Sequence, residues 1–155
     1  MKKQLVAIFA IALCVVNAFG QKISEKDVPA NIKKEFQTKF PSATNVKWEM
    51  ENKTTYEVVF KLNKEEVSAN YSKEGKWLET EKEIKAAKLP KAVADAINKK
   101  YPNSKLSEVA EIEGIEYGKV YDVELAYNKK KYTLILKPSG EVVKTKEVTD
   151  KEEND

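Results

Sequence analysis

The sequence predicts an α+β protein built from two tandem units, each a helix laid on a four-stranded antiparallel sheet in two layers. Three observations predict it. Apolar residues recur every fourth position at Ile32, Phe36 and Phe40, and again at Val93, Ile97 and Tyr101, which lines one helix face. The stretches after each of these segments alternate apolar with polar, the period of a half-buried strand. The two series also match at a constant spacing, pairing Pro29 with Pro90, Ile32 with Val93, Phe36 with Ile97, Phe40 with Tyr101 and Pro41 with Pro102.

The elements follow in chain order. Lys2 and Lys3 precede an uncharged apolar run from Leu5 to Val16, and Ala18-Phe19-Gly20 puts small residues where a signal peptidase reads. Residues 1–20 are therefore expected to be a signal peptide cleaved after about Gly20. The run is about 12 residues, short of the roughly 20 that span a bilayer, so no stable membrane anchor is expected after cleavage. Cys14 follows Leu13, where lipidation requires a small residue, which favours simple export to the periplasm or beyond.

Residues 21–88 form the first expected repeat. Pro29 suits a first helical turn, where its missing N–H costs nothing. Pro41 ends the helix, because the residue before proline avoids helical angles. Lys39 sits by the negative end of the helix dipole. Val46, Trp48 and Met50 then alternate, as do Tyr56, Val58, Phe60 and Leu62, and Val67, Ala69 and Tyr71. Asn63-Lys64 reads as a tight hairpin, and Lys73-Glu74-Gly75-Lys76 as a second turn. A fourth strand is expected from Trp77, although Glu79 to Lys88 also fits a helix.

Residues 89–148 repeat the pattern. Pro90 and Pro102 bracket the helix, Asn128-Lys129 and Pro138-Ser139-Gly140 make the turns, and Val120 to Tyr127 and Tyr132 to Leu136 alternate. The spacing between matched residues lengthens from Tyr56/Tyr121 onward, which places a short insertion, hence a longer loop, around Glu113 to Lys119. Each unit alone is too small for a stable core, so the sheets should join or the units share a core. Residues 149–155 form a charged tail.

Composition narrows the function. There is no histidine, and the single cysteine lies in the leader, so His-based triads, cysteine nucleophiles and the usual zinc, copper and haem ligand sets are not expected. No glycine-rich phosphate loop is present. All 28 basic residues are lysine, and the lack of arginine argues against nucleic-acid recognition. Two of those lysines leave with the leader, so the +3 charge of the whole chain falls close to neutrality. Glu57, Glu65, Glu66, Glu79, Glu81, Glu83, Asp122 and Glu124 read as solvated strand and turn positions, not a glycosidase pair. The acidic tail lacks the pattern of a calcium loop. No catalytic residue, metal or cofactor is expected.

At Val28-Pro29, Phe36, Lys39-Phe40-Pro41-Ser42-Ala43, Val46-Lys47-Trp48-Glu49, Tyr56-Glu57-Val58 and Gly75-Lys76-Trp77-Leu78-Glu79-Thr80-Glu81 the chain resembles the β-lactamase-inhibitor-like (BLIP-like), PepSY-like family of secreted Bacteroidetes-type proteins. Leu89-Pro90, Tyr101-Pro102, Tyr121-Asp122-Val123-Glu124 and Gly140-Glu141-Val142 continue the resemblance over about residues 23–148, with Val109 standing where a second Trp48 would be. The resemblance implies helices on one face of four-stranded antiparallel sheets, and brings no catalytic motif.

Two functions fit. In the first, a non-catalytic module contacts an unidentified exported or envelope protein, as its inhibitor or regulator, through the helix-free sheet face. The outward strand phase nominates Glu57, Val59, Lys61, Asp122, Glu124 and Ala126 for that contact, and Trp77, beside Leu78, is the one aromatic expected at the surface. In the second, a glycan, peptide or lipid binds between the units, stacked on Trp77 and Tyr127 in an envelope-sensing role.

Overall fold

The computed structural model describes residues 21–148. The expected leader and charged tail lie outside them. Nine strands form one antiparallel sheet in strict chain order. They are β1 (Gln21–Ile23), β2 (Thr44–Asn52), β3 (Thr55–Leu62), β4 (Glu65–Ser72), β5 (Trp77–Glu83), β6 (Lys105–Gly114), β7 (Gly118–Tyr127), β8 (Lys130–Leu136) and β9 (Val142–Val148). Helix α1 (Ala30–Lys39) lies between β1 and β2, and α2 (Lys91–Lys100) between β5 and β6.

The helices begin and end for the same local reasons. Pro29 and Pro90 hold the N-cap positions in extended conformation. Phe40 and Tyr101 leave helical angles just before Pro41 and Pro102, while their amides still close on Phe36 and Ile97. Each helix buries two residues of its stripe, Ile32 and Phe36 in α1 and Val93 and Ile97 in α2.

Those stripes seat two cores. Ile32 and Phe36 pack with Val28, Trp48, Val58, Phe60, Val67, Ala69 and Tyr71. Phe36 is the hub, with ring centroids 5.3 Å from Trp48, 5.1 Å from Phe60 and 6.5 Å from Tyr71, all edge-on. Val93 and Ile97 pack with Tyr101, Val109, Tyr121, Val123, Leu125, Leu134 and Leu136. Pairing across β5 and β6 sets Thr80 opposite Glu113 and Lys82 opposite Glu111, in phase with both cores. Both helices therefore cover the same face of the sheet.

Tight turns hold the register. Asn63-Lys64 and Asn128-Lys129 all have positive φ, the geometry that matches the twist of flanking strands. Gly75 and Gly140 also have positive φ, and a side chain there would collide with Asn31 and with the Ala92 carbonyl respectively, so these turns rest directly on the helices. Asn31 secures the first by donating Nδ2 to the Glu74 carbonyl at 2.9 Å.

The sheet decides between two pairs of alternatives that the sequence left open, and adds one strand that it did not predict. The segment Glu79 to Lys88 is not a helix; β5 runs to Glu83 and a 3₁₀ turn follows at Ala86–Lys88. β5 pairs with β6 from Glu79↔Gly114 to Glu83↔Ala110, so the strands after both helices belong to one sheet. β1 adds an edge strand against Trp48, Glu49 and Met50; three residues carry too little pattern to be read in sequence.

Candidate functional site

The face without helices is fixed by alternation. Val58 and Phe60 turn inward, so Glu57, Val59 and Lys61 turn away; Val123 and Leu125 turn inward, so Asp122, Glu124 and Ala126 turn away. All six belong to the helix-free face. They form two groups, because β4, β5 and β6 separate β3 from β7, roughly 19 Å at ordinary strand spacing.

Register fills the gap with carboxylates. One row across the face runs Glu49, Glu57, Asn70, Glu79, Gly114. The next runs Val59, Ser68, Glu81, Ile112, Val120. A third runs Glu83, Ala110, Asp122, Ile135, Lys144, and a fourth sets Glu108 against Glu124, Thr133 and Lys146. Glu81, Glu108, Asp122 and Glu124 surround a small hollow floored by Ala110. Ala110, Ile112, Val120 and Ile135 form a third buried cluster on this face.

These carboxylates are not solvated, which corrects the sequence expectation for Glu79, Glu81 and Asp122. Asp122 is only 6% exposed, and its Oδ1 has no hydrogen-bond partner. Burial pushes its carboxyl up to about 7, with Glu124 and Glu108 adding to the rise and Lys144 opposing it. Burial pushes Glu81 further, to about 8, helped by the charges of Asp122, Glu79, Glu57 and Glu108. Glu51 is raised to about 7 by burial and by Glu57 and Glu79. Burial likewise raises Glu79 and Glu108. Asn70 donates Nδ2 to Glu79 at 3.2 Å, while its own Oδ1 has no partner. The arrangement holds protons and presents acceptors; among the described residues no group of three or more His, Cys, Asp or Glu is set to hold a metal ion.

Trp77 stands apart from the other nominated residues. A bulge between Asn70 and Tyr71 brings it opposite Tyr71, on the helix side, half-buried against the first core. Its Nε1 donates to Thr80 Oγ1 at 3.0 Å, and Lys39 Nζ sits 3.8 Å from the ring centroid. Tyr127 packs edge-on to Tyr101 at 5.5 Å in the second core. The two aromatics thus serve different helices and do not frame one cleft.

Sequence reasoning missed Glu108 and set aside Glu79 and Glu81. Their period-two phase was readable, but the β5–β6 pairing that gathers them beside Asp122 was not. It also passed over Ile115 and Tyr117, which stand 52% and 37% exposed at the β6–β7 hairpin, where the longer loop was expected.

A family model described as "Putative beta-lactamase-inhibitor-like, PepSY-like" matches the chain twice, over residues 15–67 and 54–144. Among solved structures, a BLIP-like protein from Bacteroides fragilis is 26% identical with a TM-score of 0.71, covering 79% of this chain and 87% of its own. A DUF2874 family protein from Bacteroides ovatus is 23% identical with a TM-score of 0.71, covering 79% and 89%. A protein from Bacteroides eggerthii described as "putative periplasmic" is 17% identical with a TM-score of 0.70, covering 79% and 91%. These last two show likeness of fold. No curated protein matches the chain.

Proposed function

We infer that this chain, which belongs to the β-lactamase-inhibitor-like, PepSY-like family, is a non-catalytic binding module that contacts another exported protein through the helix-free face of its sheet. One observation carries the reading: both helices cover one side, leaving the other as a broad strand surface bearing Glu57, Val59, Lys61, Glu124 and Ala126 with buried carboxylates between them. Flat strand faces offer area and fixed side-chain spacing for protein contact, whereas small ligands are bound in deeper, more enclosed pockets.

The like order of helix and following strands, with one buried core under each helix, supports reading the chain as two copies of one unit. In that reading Ile32 and Val93 fill equivalent places, as do the turns at Gly75 and Gly140. The place of action is the periplasm or the exterior. The leader pattern in residues 1–20 supports this, as does the description of a structural neighbour as periplasmic. Among the described residues no helix is long and apolar enough to cross a membrane.

The test is capture of a partner from cell-envelope extract by the purified protein and by a Val59→Arg/Ala126→Arg variant, with Glu35→Lys on α1 as control. The expected result is a specific captured protein that the sheet-face variant loses and the helix variant keeps. Equal capture by all three would remove this face from consideration.

A further inference from the structure

Resting on that reading of the face, we propose that the hollow between β5, β6 and β7 receives the ammonium group of a lysine side chain presented by the partner protein. Glu81, Glu108, Asp122 and Glu124 line it from three adjacent strands. Glu81, Glu108 and Asp122 so placed repel one another when ionised, and a cation among them relieves the repulsion. Asp122 adds a sharper requirement. It is nine-tenths buried, yet its Oδ1 accepts from no donor, and buried acceptors without donors are rare because they forfeit hydration for nothing.

Some of the chain's own lysines are committed elsewhere. Lys82 pairs with Glu65, Lys119 with Glu111 at 2.9 Å and Lys130 with Glu147 at 2.8 Å, all on the helix-bearing face. Lys144 reaches the hollow only as a distant charge, from β9, two strands beyond Asp122.

Size and shape favour an ammonium group. The hollow has about 10 Å³ of room, enough for one water-sized group. An ammonium is that size and carries three donors and no acceptor, complementary to a wall of acceptors; a planar guanidinium is larger. A metal ion is less well matched, since these groups are not gathered in ligating geometry.

The experiment pans a random dodecapeptide display library on the purified protein near pH 8. Enriched peptides are then titrated against the parent, against the near-isosteric Glu81→Gln/Asp122→Asn variant and against Val59→Arg, with circular dichroism confirming that each variant is folded. The expected result is a shared lysine among the peptides. Its change to norleucine should weaken binding at least tenfold, and the double variant should weaken the parent peptide equally. Lysine-free peptides, no enrichment, equal binding after lysine-to-arginine exchange, or displacement of the peptides by millimolar calcium would overturn the proposal. Peptides blocked by Val59→Arg but indifferent to lysine and to the double variant would refute the lysine hollow and leave the binding face standing. Peptides indifferent to every variant would refute both.

Discussion

Raising the pH from about 5 to about 8.5 should destabilise this protein, the reverse of ordinary acid denaturation. The perturbation acts on Glu81 and Asp122, whose carboxyls are raised to about 8 and about 7 in the folded chain from ordinary values of 4.5 and 3.8. In the unfolded chain both ionise near those ordinary values. Between about pH 4 and pH 8 the folded state therefore holds more protons than the unfolded one, and stability falls as pH rises. The stabilisation is fully present below the unfolded values and is lost on passing through the folded ones. A tenfold difference in proton affinity between the folded and unfolded chain corresponds to about 1.4 kcal/mol. Each carboxylate also raises the other, so the pair shares part of the effect and contributes about 4 kcal/mol in total. With a urea slope of about 2 kcal/mol per molar, the midpoint should drop by about 2 M between the two pH values. Tryptophan fluorescence reports the transition, since Trp48 is buried in the first core. In the Glu81→Gln/Asp122→Asn variant the dependence should be clearly shallower, with Glu51 still contributing in the same direction. A midpoint that stays constant or climbs as pH rises would refute the argument.

Other expected outcomes follow from packing. Phe36→Ala should cost about 3–5 kcal/mol, because it removes the ring around which Trp48, Phe60 and Tyr71 meet; thermal or urea unfolding measures it. Gly140→Ala should lower the melting temperature clearly more than Gly118→Ala. Both glycines have positive φ, but a side chain at Gly140 strikes the Ala92 carbonyl while one at Gly118 meets open space. Lys39→Met should cost about 0.5–1 kcal/mol and alter Trp77 fluorescence, since the ammonium lies over that indole.

Much of the frame was legible in the sequence because single rules governed it. A four-residue stripe fixed which sides of α1 and α2 are buried, prolines fixed their ends, and alternation gave the phase of β3 and β7, hence which of Glu57 and Val58, or Asp122 and Val123, turns inward. Asn63 and Asn128 marked their hairpins because asparagine tolerates positive φ. What escaped depended on distant partners. Nothing local in Glu79-Thr80-Glu81 says that β6 will pair beside it, so carboxylates that are buried among one another read as solvated. Trp77 escaped because a bulge resets the phase of β5 at its start, and a bulge has no signature in these residues. Residue type also misled at Asp122, since aspartate is seldom so buried.

The central claim is that partners are met on the strand side and not on the helix side. Photo-cross-linkers placed singly at Val59 and Ala126 on the sheet, and at Gln37 and Asp95 on the helices, test it in intact cells. Cross-linked products to one envelope protein from Val59 and Ala126, with none from Gln37 or Asp95, are the predicted result. Products from the helix positions alone would contradict it.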